Sequence, residues 1–247
     1  MAELNGKVAV ITGAGSGLGR AAAQIFVAQG AKVIAADISG AQNATAASLG
    51  DNARACHCDV SLEDDVQAMI EAALATFGRI DAVLNVAGFG VPGKLCDVDL
   101  NDYKAVLDVD LLGVILVTKY AIRAMLPFGG GVILNWSSIA GLAASPNWGV
   151  YSAAKAGVIA ITKATALEYG RQGIRANVIC PGTIMTEGLA AMTSEQIAQV
   201  AAAVPMGRLG EAGEIGELAA FLASDRSRYV NGAVITVDGG LTCRLPG

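Results

Sequence analysis

The chain has little of several residue types that would point to particular chemistries. It carries one histidine, His57, in 247 residues. A Ser-His-Asp hydrolase needs an imidazole beside its nucleophile, whereas His57 falls in an apolar, strand-like run. That run, Cys56-His57-Cys58, sends both thiols to one face and the imidazole to the other, and no second Cys/His pair stands at a metal-finger spacing, so no metal site is expected. The five cysteines (Cys56, Cys58, Cys96, Cys180, Cys243) are odd in number and mostly sit in apolar segments. They read as reduced, buried thiols of a cytosolic protein rather than a disulfide framework. Proline is scarce at 6 residues, and the 31 glycines follow no period. Collagen-like, mucin-like and disordered chains are thereby excluded. No apolar stretch approaches the ~18 residues of a membrane span. The 17 basic and 22 acidic residues leave a net charge of −5. Without a Lys/Arg cluster, that balance suits neither nucleic acid nor an anionic membrane. The opening residues, MAELNGK, include an acid and run straight into a strand-like segment, unlike a signal peptide, so a cytoplasmic location is expected.

What is present is an alternation of short β-branched runs with longer helical patterns. Strands are expected at Lys7–Thr12, Lys32–Asp37, Ala53–Val60, Ile80–Val86, Gly131–Ser137, Ile174–Cys180 and Ala233–Val237. Helices are expected at Leu18–Gln29, Ser39–Leu49, Asp102–Leu126 with a break near Asp110, Tyr151–Tyr169 and Glu211–Ala223. A further helix opens on an apparent capping box, Ser61-Leu-Glu-Asp64, with a core face of Val66, Met69, Ile70, Ala73 and Phe77. About seven strands alternating with helices imply one α/β domain over residues 1–247, a parallel sheet covered on both faces with right-handed crossovers. An apolar insertion, Thr183–Pro205, interrupts the pattern.

The first strand ends in Thr12-Gly13-Ala14-Gly15-Ser16-Gly17-Leu18-Gly19. Glycines between a strand and a helix let backbone amides approach a pyrophosphate at the helix N-terminus. The strict G-x-G-x-x-G spacing is not met, since the pattern is T-G-x-x-x-G-x-G, and by itself the turn is also readable as a plain glycine-rich loop. Asp37 adds to it by ending the second strand twenty positions beyond Gly17. An acid there accepts hydrogen bonds from an adenosine ribose 2′-OH and repels a 2′-phosphate, which favours NAD over NADP. Ser16 supplies no positive charge for such a phosphate. The alternative for Asp37 is a helix-capping acid.

Tyr151 and Lys155 stand at i and i+4, on one face of a helix. An isolated phenol is a poor base at neutral pH, and an adjacent cation favours its phenolate, as a general acid/base requires. Taken alone, such a pair is also readable as a solvated surface pair. Ser138 lies at the C-terminal end of a predicted central strand, where open α/β sheets place their sites. A hydroxyl beside a phenol suits polarising a carbonyl.

These segments resemble the short-chain dehydrogenase/reductase family over essentially the whole chain. The matching pieces are Thr12-Gly13…Gly17-x-Gly19, Asp59-Val60, Asn85-Val86-Ala87-Gly88, Ser138, Tyr151-x-x-x-Lys155, Pro181-Gly182-Thr183 and Val237-Asp238-Gly239-Gly240. The resemblance implies a Rossmann-type doubly wound sheet and an NAD(H)-dependent interconversion of a secondary alcohol and a ketone. It implies Tyr151 as acid/base, Ser138 on the substrate oxygen, and Lys155 on the nicotinamide ribose and acting on the phenol. The coenzyme would lie against Gly13, Ser16, Gly17, Leu18, Gly19, Asp37 and Ile38, with Asp59 and Val60 at the adenine. The segment of Asn85, Ala87 and Gly88 would line the adenosine ribose, while Pro181, Gly182, Ile184 and Thr186 would close over the nicotinamide end. Similar proteins are usually homotetramers, and the Leu111–Leu126 helix and the Gly232–Pro246 segment are plausible contact surfaces.

Two positions depart from the family pattern. Val86 replaces the second Asn of N-N-A-G, a packing change. Asp110 stands where the family has the Asn that kinks its helix and holds a relay water to the lysine. Either the Asp110 backbone carbonyl keeps that relay, or the carboxylate pairs with Lys155. The insertion contains Met185, Leu189, Met192, Ile197 and Val200, with Glu187 and Glu195 its only charges, which suits a mobile apolar lid. Lys94 and Arg208 flank it, but no cation within it could clamp an anionic substrate. An uncharged, cyclic or steroid-like alcohol or ketone is expected, with Phe89 and Trp148 in loops near the site. Trp136 reads as core. Alternatives are a ketoreductase resembling 3-oxoacyl-acyl-carrier-protein reductases, which Asp37 disfavours, and a non-catalytic dinucleotide sensor, which the intact Ser/Tyr/Lys set disfavours.

Overall fold

Successive residues of the first strand, Val8–Thr12 (β1), enter different cores. Ala9 and Ile11 pack with Phe26 and Ile215, whereas Val10 packs with Met69 and Ile133. Burial on both faces explains why the strand is continuously apolar, as in parallel sheets generally. The computed structural model describes residues 3–189 and 192–243. Further strands are Lys32–Asp37 (β2), Ala53–His57 (β3), Ala82–Asn85 (β4), Gly131–Trp136 (β5), Ile174–Pro181 (β6), Ile184–Met185 (β7), Gly210–Glu211 (β8) and Val234–Val237 (β9). Helices are Gly17–Ala28 (α1), Gln42–Leu49 (α2), Glu63–Phe77 (α3), Leu100–Leu107 (α4), Val114–Met125 (α5), Gly149–Tyr169 (α6), Ser194–Ala203 (α7) and Ala212–Ala223 (α8).

Seven strands form one parallel sheet in the order β3-β2-β1-β4-β5-β6-β9. This is the doubly wound Rossmann-type arrangement expected from the sequence. Strand order reverses between β1 and β4, so the loops leaving them diverge and open a crevice at their C-terminal ends. Helices α1 and α8 cover one face closely, because a Cβ on Gly216 would stand 2.5 Å from Ile25 Cδ1. Among the described residues, no helix is long and apolar enough to cross a membrane.

Two local expectations are corrected. Ser61 does not cap α3: that helix begins at Glu63 after Leu62, and the Ser61 hydroxyl donates instead to Asp59 Oδ1 at 2.6 Å. The nearer acceptor wins because Asp59, two residues back, forms a local turn. The insertion, for which no helix was expected, forms α7 on a capping box between Thr193 and Gln196. Its Ile184–Met185 pairs with Gly210–Glu211 in a separate two-stranded sheet. The Ala190–Ala191 stretch of the insertion and residues 244–246 of the expected contact segment lie outside the described residues. The second correction is at β3, which stops at His57 rather than reaching Val60.

The expected break near Asp110 takes the form of a π-helical turn, Asp108–Gly113, between α4 and α5. Such turns are a recognised cause of helix kinks and are frequent at functional sites.

Ile133, fully buried in β5, tests the two-sided core. Ile133→Ala is expected to lower stability by about 2–5 kcal/mol, read as a lower urea midpoint at unchanged slope.

Candidate active site

The crevice is a cleft of about 550 Å³ whose floor is the turn after β1. Glycine is required at two places in that turn. Gly13 has φ +69°, and a Cβ on it would lie 2.9 Å from the Ala87 backbone nitrogen. A Cβ on Gly15 would lie 2.9 Å from the Asp37 carboxyl. The Thr12 hydroxyl donates to the Leu84 carbonyl and accepts from the N–H groups of Val86 and Ala87, at 3.1 and 3.2 Å, tying the turn to the segment leaving β4.

Gly13, Ser16, Gly17, Leu18, Gly19, Asp37, Ile38, Asp59, Val60, Ala87, Gly88 and Thr186 all line this cleft. Six residues expected at the coenzyme do not: Tyr151 and Lys155, described below, and Asn85, Pro181, Gly182 and Ile184. Asn85 is buried, its amide donating to Asn135 Oδ1 at 2.7 Å and to Thr118 at 3.3 Å, so it braces β4 against its neighbours. Pro181 pairs with Val237 at the end of β6, and Gly182 packs against Asp238. Ile184 lines a smaller cavity of about 80 Å³ beside Val237 and Asp238.

The cleft also takes in Cys58, Val86, Phe89, Val109, Glu187 and Gly188. Val86 does pack against the core, as expected, but also reaches the cleft wall. Cys58 carries no motif signal; burial, with Cys56 and two nearby carboxylates adding to it, pushes its thiol up to about 12. Phe89 stays 42% exposed.

Asp37 caps no helix, since α2 begins at Gln42 behind Ala41. Its Oδ2 accepts the Gly15 N–H and its Oδ1 the Ser39 N–H, each at 2.9 Å. Burial raises its pKa, but the hydrogen bonds from Ser39 and Gly15 outweigh burial and hold the carboxyl below its usual range. The acid is therefore ionised and fixed at the cleft wall.

Beyond the cleft lies a buried ion pair. Lys155 Nζ is 2.7 Å from Asp110 Oδ1, with side-chain exposures of 4% and 0%. Nζ also donates to the Trp136 carbonyl at 3.1 Å, and Asp110 Oδ2 accepts the Phe89 N–H at 3.0 Å. The carboxylate thus takes the second course left open by the sequence and pairs directly with the lysine. Gly88 is what admits the pair, because a Cβ there would stand 2.5 Å from Asp110 Oδ1 and 3.1 Å from Nζ.

Lys155 Nζ stands 5.5 Å from the centroid of the Tyr151 ring. One turn of α6 therefore brings the ammonium beneath the phenol, as the i, i+4 spacing requires. Ser138 follows β5 in extended backbone and its hydroxyl accepts the Ala140 N–H at 3.1 Å. Its neighbour Ser137 donates to the Lys155 carbonyl at 2.8 Å, locking the end of β5 to α6.

On the other side of Tyr151, the Trp148 ring meets it edge-on, with centroids 5.8 Å apart and planes at 70°. Trp148 is presented by Asn147, whose φ of +65° is the one left-handed value at a non-glycine residue among those described. Asn tolerates that conformation better than most residues. The Asn147 carbonyl accepts the Gly93 N–H at 2.8 Å, and a Cβ on Gly90 would lie 2.6 Å from the Trp148 ring. Trp136, by contrast, is 3% exposed and belongs to the core, as expected.

Comparison with known proteins extends over nearly the whole chain. A family model described as enoyl-(acyl carrier protein) reductase matches residues 13–242. The chain is 40% identical to cis-4-hydroxycyclohexanecarboxylate dehydrogenase of Sinomonas cyclohexanicum over 240 residues, covering 96% of each. It is 39% identical to mitochondrial borneol dehydrogenase of Lavandula x intermedia, covering 97% of this chain and 92% of the relative. It is also 39% identical to meso-2,3-butanediol dehydrogenase of Serratia marcescens, covering 97% and 96% respectively.

The ion pair has a distinct signature on substitution. Asp110→Ala strands a buried ammonium and is expected to cost about 3 kcal/mol or more. Asp110→Asn keeps an acceptor for Nζ and is expected to cost markedly less. Equal losses of the thermal midpoint in the two variants would show that the carboxylate does not carry the lysine.

Proposed function

The chain belongs to the short-chain dehydrogenase/reductase family, and on that premise we propose that it is an NAD(H)-dependent dehydrogenase interconverting an uncharged, ring-bearing secondary alcohol and its ketone. Membership makes a nicotinamide dinucleotide the cofactor and alcohol oxidation or ketone reduction the reaction. When bound, that cofactor supplies or accepts the hydride. The cleft fits such a group physically: glycines clear its floor, and the Gly17 N–H lies at the N-terminus of a 12-residue helix, a setting that attracts phosphate.

The observation that carries the reading is the buried ammonium of Lys155, held by Asp110 and Trp136 below the Tyr151 ring. Tyr151 moves the proton at the substrate oxygen, and Ser138 donates a hydrogen bond that polarises the same oxygen. Lys155 holds the nicotinamide ribose and orders the phenol. Asp110 acts through Lys155 as a positioning residue.

NAD rather than NADP follows from Asp37. It is an ionised acid with both oxygens anchored, so it accepts ribose hydroxyls and repels a 2′-phosphate. The same acid disfavours a reaction resembling that of 3-oxoacyl-acyl-carrier-protein reductases, whose family members usually take NADPH.

The substrate class rests on aromatic surface. Trp148 stands at the edge of Tyr151, and Phe89 is partly exposed on the cleft wall. Two of the relatives above are named for ring alcohols and one for an acyclic diol; the aromatic wall favours the ring class for this chain. Assembly as a cytoplasmic homotetramer is part of the same proposal. It is supported by Leu112, which leads into α5, and Ile115 on that helix, both large apolar residues left exposed at 40% and 36%.

NADH absorbance with cyclic and acyclic secondary alcohols tests the activity. Tyr151→Phe is expected to remove more than 95% of turnover while NAD affinity changes less than about threefold; retention of more than a few per cent removes Tyr151 from its role. Asp37→Ala is expected to narrow the NAD/NADP ratio of kcat/KM by at least about tenfold, and an unchanged ratio refutes the assignment.

A further inference from the structure

Glu187 lies in the cleft and is used by none of the roles above. It follows β7 on a short turn, and its Oε2 accepts the N–H of Gly17, the first residue of α1, at 3.0 Å. Its Oε1 accepts from Arg20 Nη1 at 2.8 Å. A carboxylate thus sits on the positive end of α1, where a free backbone N–H and the helix dipole attract anions.

The contact is not demanded by packing, because the Glu187 side chain is 58% exposed. Hydrogen bonds from its own backbone N–H and from Gly17, with Arg20 adding to them, hold the carboxyl below its usual range, so it is charged at neutral pH. Arg20 is anchored independently of Glu187, since its Nε and Nη2 donate to the Gly15 carbonyl at 3.2 and 2.5 Å. If Glu187 leaves, the guanidinium stays beside the turn with Nη1 released.

Two anions cannot share one N–H and one guanidinium. We propose that Glu187 is an internal competitor for the coenzyme's diphosphate: it occupies the N-terminus of α1 and must swing away before the coenzyme seats, and so it sets coenzyme affinity and the rate of coenzyme entry. This rests on the dinucleotide reading of the cleft. An exposed ion pair plus one helix-terminal hydrogen bond favours the occupied arrangement by a few-fold. Apparent affinity falls by the fraction of molecules in which the site is free, here about fivefold.

The experiment is calorimetric titration of the full chain with ADP and with adenosine, alongside stopped-flow binding of NADH. Glu187→Gln is expected to tighten ADP and NADH about fivefold, mainly through faster association, and to leave adenosine within twofold. Glu195→Gln, an equal charge change at an exposed position on α7, is expected to leave all three unchanged. Unchanged or weaker ADP binding in Glu187→Gln overturns the proposal, as does equal tightening by Glu195→Gln or an equal gain for adenosine. If the unaltered protein binds neither ADP nor NADH, the dinucleotide reading itself fails and the proposal falls with it. Normal binding without a Glu187 effect sinks only the latter.

Discussion

The buried contact between Lys155 and Asp110 is the constraint on which the site depends. Removing two charges from water costs several kcal/mol per ion, and their mutual attraction offsets that cost only with good geometry and further hydrogen bonds. The fold supplies a 2.7 Å approach and the further hydrogen bonds. Trp136 at the end of β5 gives a carbonyl to the ammonium, and Phe89 after β4 gives an N–H to the carboxylate. The π-helical turn sets Asp110 in place, and the bare backbone of Gly88 clears the space between the two charges. One ion pair thus joins β4, β5, the turn before α5, and α6. An Asn at position 110 would give the lysine a dipole instead of a charge. The carboxylate therefore makes this site a net-neutral pair where the family pattern has a single positive charge.

The cleft and the ion pair are electrostatically complementary halves of one crevice. At the β1 side, the N-terminus of α1 and Arg20 attract negative charge while ionised Asp37 repels it, which is the electrostatic basis of the proposed preference for NAD. At the β5 side, Tyr151 lies between an ammonium below and an indole edge beside it. The indole offers apolar surface beside the phenol, and the ammonium below it is held by the carboxylate. Charge is thereby handled at two separated places, and the space between them is left to neutral groups.

Much of this was readable from the sequence, for physical reasons that differ from element to element. The strands were legible because burial on both faces demands continuous apolar runs such as VAVIT. The i, i+4 spacing of Tyr151 and Lys155 has one helical consequence, and the structure keeps it. Asn85 was not legible: within the β4 run an amide is equally able to face a ligand or to brace its neighbours, and only tertiary packing sends it to Asn135. Ser61 misled because Asp59, Ser61 and Asp64 offered two local hydrogen-bonding patterns, and the tighter turn prevailed. Helix α7 was hidden by an apolar composition that ignored its one local signal, Thr193 three residues before Gln196. The choice between a relay through the Asp110 backbone and a direct pair with Lys155 needed coordinates, since both fit the same spacing.

The segment that carries Glu187 explains how a contact so weak can matter. Helix α7 buries none of its residues; the insertion is anchored at its ends by buried Ile184 and Val204 and by the pairing of β7 with β8, and between them by the polar contacts of Glu187. Hydrophobic burial, the term that rigidifies the two main cores, contributes little between those two anchors. Opening such a segment exchanges a few solvent-exposed hydrogen bonds for water at small net cost. Between those anchors, Glu187 is held by charge at the N-terminus of α1, the place that would receive the coenzyme's phosphates on the proposed reading. On the proposed reading, Glu187 is coupled to coenzyme occupancy without any long-range rearrangement of the sheet, because carboxylate and coenzyme compete for the same N–H and the same guanidinium.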